Sequence, residues 1–137
     1  MIPQYTTAAL VTENKTLCFP ASADSIPTSL GQEDHVSMGS ISGRKLNKVL
    51  DNLEFILSIE LLSACQAIEF RRPLKSSKLL ESAHDYVRQF VGFAAEDRIF
   101  ADDINQVAGI IKDFSFIDTV NRKAEGGLNQ GFEMFKL

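Results

Sequence analysis

Histidine and cysteine are scarce in this sequence, and their scarcity excludes several chemistries at once. With His35 and His84 as the only imidazoles among 137 residues, no zinc-type ligand cluster can be assembled. Cys18 and Cys65 lack CxxC spacing and have no histidine close by, which reads as two reduced, buried thiols rather than a disulfide or a metal site. Positive charge is also short. The 14 Lys and Arg against 18 Asp and Glu give a net charge of −4, leaving no basic stripe for nucleic acid and no polybasic cluster for an anionic membrane. No apolar run reaches the roughly 18 residues of a membrane span. The N-terminus lacks the charged-then-apolar order of a signal peptide, so the sequence predicts a cytoplasmic protein. Internal repeats and low-complexity tracts are missing, which excludes a solenoid.

What remains is one domain's worth of helix-forming sequence, with enough apolar content to bury about two-thirds of its unfolded surface. Ala8, Leu10, Val11 and Leu17 recur at helical spacing over residues 4–17. Pro20, Pro27, Gly31 and the Ser, Thr and Asp positions between them then break the pattern and predict a loop. A long helix is expected next, from about 35 to 72, starting at a cap provided by Asp34 or Ser37 and stopped by Pro73. Its length, roughly 55 Å at 1.5 Å per residue, exceeds the 35 to 40 Å or so across a compact domain of this size. Leu46, Leu50, Leu53, Leu57, Leu61, Ala64 and Ile68 form one apolar stripe, and Val49, Ile56, Ile59, Leu62 and Cys65 widen it beyond a single face. Such a helix needs several neighbours, which predicts a homo-oligomer or a partner chain.

Shorter helices follow at 77–91, with His84 expected exposed or capping, and around Ile104 to Ile111. Glu96, Asp97 and Arg98 in the connector read as a surface ion pair. Beyond Phe114 three glycines are scattered among residues of no clear period, which predicts a mobile tail over 115–137. The fold class is therefore all-α: a long central helix packed with shorter ones.

The loop concentrates titratable groups. A helix start near His35 would set Glu33 beside the positive end of the helix dipole, where an ionised carboxylate is favoured. On its residue type alone, Glu33 reads more readily as plain helix capping than as a site.

The run ASADSIPTSLGQEDHVSMGS (residues 21–40) closely resembles the segment by which histidine ammonia-lyases are recognised, within the aromatic amino acid lyase family. The likeness extends through AALVTENKTL before the loop and SIELLSACQAIEFR and PLKSS after it, covering about residues 1 to 114. It implies the C-terminal helical part of a mainly helical lyase that eliminates ammonia from histidine to give urocanate. It further implies that Gln32 and Glu33 line the substrate pocket with Glu33 facing the imidazole, and that Met1 stands at a pocket-lining position of a central helix. Relatives that use phenylalanine or tyrosine carry Gln in place of Glu33. The family's electrophile is a methylidene-imidazolone made from an Ala-Ser-Gly tripeptide, and this chain has none. Ala21-Ser22-Ala23 and Ile41-Ser42-Gly43 are its nearest approaches. The segments that supply the family's proton-transfer tyrosine and its carboxylate-binding arginine and asparagine also lack counterparts. The chain is thus expected to be inactive alone, and a non-catalytic helical oligomerisation module is the alternative reading.

Overall fold

The computed structural model describes residues 2–33 and 35–123. Five α-helices carry the described chain: α1 (Ile2–Leu17), α2 (Gly39–Glu69), α3 (Lys78–Arg88), α4 (Ala101–Lys112) and α5 (Ser115–Lys123). Among the described residues extended pairing is confined to an isolated antiparallel bridge between Thr28 and Glu33. The all-α class read from the sequence is the one observed. None of the described helices is long and apolar enough to cross a membrane.

The central helix is shorter than the 35–72 span expected, at both ends and for separate reasons. At its start, the Met38 carbonyl accepts the Ile41 and Ser42 amides, so the helix begins at Gly39 and not beside His35. Ser37, one of the two expected caps, stands one residue ahead of Met38, and Asp34 lies outside the described residues. At its end, the Arg71 and Arg72 amides bond three residues back, to Ile68 and Glu69, and this tighter turn closes the helix at Glu69.

The chain divides into two compact units, Met1–Ile56 and Leu57–Leu137, and α2 contributes residues to both. In the first unit, Asn52 is buried and donates to Glu13 Oε2 at 2.7 Å and to Asn14 Oδ1 at 2.8 Å, tying α1 to α2. No described side chain of α1 is buried. The second unit holds a core of Leu62, Cys65, Val87, Val91, Val107 and Ile110. Gln66 braces the connector after α3, donating to the Ala94 carbonyl at 2.8 Å and accepting its amide at 3.2 Å.

The N-terminal part of the main leucine stripe does not pack inward along α2, although Leu61 further on does pack against the core. Ile59, Leu62 and Cys65 are buried, while Leu46, Leu50, Leu53 and Leu57 remain 56%, 47%, 41% and 42% exposed. The second, widening set of apolar positions therefore builds this chain's own core.

Three further expectations are corrected. Residues 115–123, expected in a tail, form α5 against α3 and α4, because Phe116 and Val120 give them an apolar face and Asp113 Oδ1 accepts the Ser115 amide at the helix start. The rest of that tail, 124–137, lies outside the described residues. Cys18 is exposed at the end of α1, whereas Cys65 is buried, and burial raises its thiol pKa above the ordinary value. His84 is only 5% exposed, because it faces the end of α2 rather than solvent.

Around His84 lies a cluster of charges. Its Nε2 is 3.0 Å from Glu69 Oε1 but not aligned for a hydrogen bond, and Arg88 Nε donates to the same oxygen at 3.2 Å. Arg72 Nη2 lies 3.4 Å from Nδ1, and its Nη1 donates to Glu81 Oε2 at 2.7 Å. The Ser76 amide and then Arg72 hold the Glu81 carboxyl below the usual carboxylate range. Glu69→Ala would remove the anion shared by His84 and Arg88. Since Glu69 is a quarter exposed, solvent softens the penalty, and the expected loss is about 2 kcal/mol, read from urea unfolding. A change within about 0.5 kcal/mol would mean that solvent screens the cluster.

Candidate functional site

The segment between α1 and α2 is ordered by its own hydrogen bonds. Ala21–Ala23 form one 3-10 turn and Ser29–Gly31 another. The Thr28 amide donates to the Glu33 carbonyl at 3.0 Å and the Glu33 amide returns to the Thr28 carbonyl at 3.4 Å, so the two arms close on each other. Inside that closure the Gly31 amide bonds Thr28 and the Gln32 amide bonds Ser29.

Reversing the chain within four residues demands left-handed backbone. Ser29, Leu30 and Gly31 have φ of 55°, 57° and 85°. Glycine occupies that region without penalty, whereas Ser29 and Leu30 each cost about 1 to 2 kcal/mol. Leu30 gains nothing by burial to offset this, since its side chain is fully exposed. Strain of this kind persists only where surrounding contacts over-determine the backbone, and it collects at functional sites.

Gln32 and Glu33 are brought together at the end of this turn, both exposed. Glu33 is not at a helix start: α2 begins at Gly39, and the Glu33 main chain is committed to Thr28. This removes the physical basis for reading Glu33 as the cap of α2. It leaves an exposed carboxylate at the end of a hydrogen-bonded turn, able to accept a charge-assisted hydrogen bond. Met1 lies outside the described residues.

The residues present do not fit the family's electrophile. Ala21–Ala23 occupy a 3-10 turn with alanine as third residue, and Ser42-Gly43 lie within α2, preceded by Ile41.

Ser25 is a contributor that residue type did not reveal. Its Oγ accepts the Val36 amide at 2.8 Å, across the loop. The sequence signal was only an alternation of Ser and Thr with prolines, which marks a loop without saying which hydroxyl closes it.

Against known proteins, residues 1–89 match the family model described as aromatic amino acid lyase. The chain is 52% identical over 122 residues to a histidine ammonia-lyase of Desulfotalea psychrophila, covering 89% of this chain and 24% of that protein. It is 52% identical over 111 residues to the histidine ammonia-lyase of Natranaerobius thermophilus, covering 81% of this chain and 22% of the relative. Among solved structures, histidine ammonia-lyase from Trypanosoma cruzi superposes with a TM-score of 0.86 at 47% identity, over 90% of this chain and 24% of the other. A tyrosine aminomutase from Streptomyces globisporus superposes equally, with a TM-score of 0.86 at 36% identity, over 92% of this chain and 24% of the other. The chain spans about a quarter of the length of the curated relatives it matches.

Proposed function

The chain belongs to the aromatic amino acid lyase family, and from that premise we propose that it supplies the substrate-recognising loop of a histidine ammonia-lyase. In that enzyme ammonia is eliminated from histidine to leave urocanate. Glu33 accepts a hydrogen bond from the imidazole N–H, with Gln32 and Met1 lining the same pocket. The electrophile that makes the amine a leaving group comes from an Ala-Ser-Gly segment outside these residues.

One observation carries this reading: Glu33 is exposed, at the end of a strained turn whose bridge uses its main chain, and is not consumed in capping a helix. Identity near one half to proteins named histidine ammonia-lyases supports histidine over the other substrates of the family. The charge agrees. A carboxylate pairs with an imidazole N–H, whereas an apolar ring would leave it desolvated and unpaired.

Complementation tests the proposal. The chain is mixed with the part of a histidine ammonia-lyase that precedes the matched region and carries the Ala-Ser-Gly tripeptide. Urocanate should form only when both are present. Stable association of the two without any urocanate would refute the reading.

The exposed stripe on α2 is the surface through which we expect the chain to assemble, with its own copies or with that N-terminal part. At micromolar concentration the chain alone should sediment as a dimer or larger. Leu50→Glu with Leu53→Glu should return it to a monomer, since each buried leucine exchanged for a charge forfeits about 2 kcal/mol or more of association. A cooperatively melting monomer of the unmodified chain would show that the stripe needs no partner.

A further inference from the structure

The bridge between Thr28 and Glu33 closes the loop, and three residues outward along its two arms stand Ser25 and Val36. Among the described residues main-chain pairing goes no further than that bridge, and the Val36 amide finds no main-chain partner across the arms. The Ser25 hydroxyl provides the partner instead, accepting the Val36 amide at 2.8 Å. Burial changes at the same point. Residues 26–33 are all exposed, whereas Ser25 and Val36 are half-buried, so this tie is where the loop meets the body of its unit. At the tip stand Ser29 and Leu30 in left-handed conformation, which the closing contacts must hold in place.

We propose that Ser25 is a positioning residue for Glu33: its hydroxyl latches the outgoing arm at Val36 and, together with the Thr28 bridge, fixes where Glu33 is presented. The proposal rests on the reading that Glu33 faces substrate. Ser25 itself touches no reacting atom. Its hydroxyl acts by denying the arm an alternative path, since without an acceptor the half-buried Val36 amide would turn toward water and carry the arm with it.

Two measurements test this, and the first needs no lyase activity. Hydrogen exchange on the chain should show that Ser25→Ala speeds exchange about tenfold at Val36 and also at Thr28 and Glu33. Core amides at Leu62 and Val107 should be unchanged, and Ser25→Thr, which keeps the hydroxyl, should restore protection. Acceleration confined to Val36 would overturn the proposal, because the latch would then not reach Glu33.

The second measurement is made in the complemented lyase. Ser25→Ala should lower kcat/KM for histidine about tenfold, mainly through KM, and Ser25→Thr should recover most of it. In a Glu33→Gln background the same Ser25→Ala change should cost little more, since both act through one contact. An equal cost in both backgrounds would overturn the proposal. If Glu33→Gln alone leaves histidine turnover intact, it is the lyase reading that fails, and the exchange result decides separately whether Ser25 holds the arm.

Discussion

Purified by itself and incubated with histidine, the 137-residue chain should yield no urocanate at any pH or concentration. The amino group of an amino acid is a poor leaving group, and without an electrophile the barrier is not lowered. The Ala-Ser-Gly tripeptide of the family occurs nowhere in these residues. Its nearest approaches are also in the wrong setting. Ser42-Gly43 sit inside the regular hydrogen bonding of α2, and Ala21–Ala23 end in an alanine whose side chain would crowd a cyclising backbone. Assembly through the α2 stripe does not change this, because each copy brings the same residues. The difference from a complete lyase is therefore a full loss of activity, measured by urocanate absorbance on rigorously purified protein. Urocanate formation that follows the chain through purification would sink this part of the account.

Within a complemented enzyme, Glu33→Gln should reduce catalytic efficiency on histidine by about 10 to 150-fold. That range corresponds to losing a charge-assisted hydrogen bond of roughly 1.5 to 3 kcal/mol. Glutamine keeps the shape and one acceptor, so turn geometry should hold. The main chain of Glu33, not its side chain, makes the bridge to Thr28, and the melting temperature should move little. Selectivity moves the other way. An apolar ring no longer faces an unpaired carboxylate, so the preference for histidine over phenylalanine should narrow. Intact histidine turnover together with a lowered melting temperature would instead mark Glu33 as a structural residue.

The fold class was legible in the sequence because helical periodicity and the placement of prolines are local signals. The sense of α2 was not. The leucine stripe at spacings of three and four is the stronger pattern, yet Leu46, Leu50, Leu53 and Leu57 face outward while Ile59, Leu62 and Cys65 form the core. Periodicity reports that a face is apolar and not which partner covers it. The boundaries of α2 were displaced for a similar reason. Asp34 and Ser37 both have the chemistry of a cap, but the Val36 amide is taken by Ser25, eleven residues earlier, and the chain stays non-helical until Gly39. No window along the sequence contains that competition.

The conformation of the loop was not legible in the sequence. Gln32 and Glu33 stand out by resemblance alone, and Glu33 does not lie at a helix end, because α2 begins only at Gly39. Glu33 stands at the end of a turn in which Ser29 and Leu30 take left-handed φ, a conformation their residue types disfavour. His84 was misplaced because one polar residue on an amphipathic helix gives no hint of a charged partner on another. Glu69, fifteen positions earlier, supplies it. Residues 115–123 were assigned to a tail because glycines further on dominated the window, although Phe116 and Val120 were enough to dock a short helix.

The central claim is that the Glu33 carboxylate meets the imidazole of histidine. The most direct measurement is a crystal structure of the complemented lyase with a non-reacting histidine analogue bound. One carboxylate oxygen of Glu33 should lie about 2.7 to 2.9 Å from a ring nitrogen, the range of a charge-assisted bond, with the Thr28 bridge intact. An analogue bound with its ring away from Glu33, or a Glu33 carboxylate turned onto backbone amides of its own loop, would contradict the account.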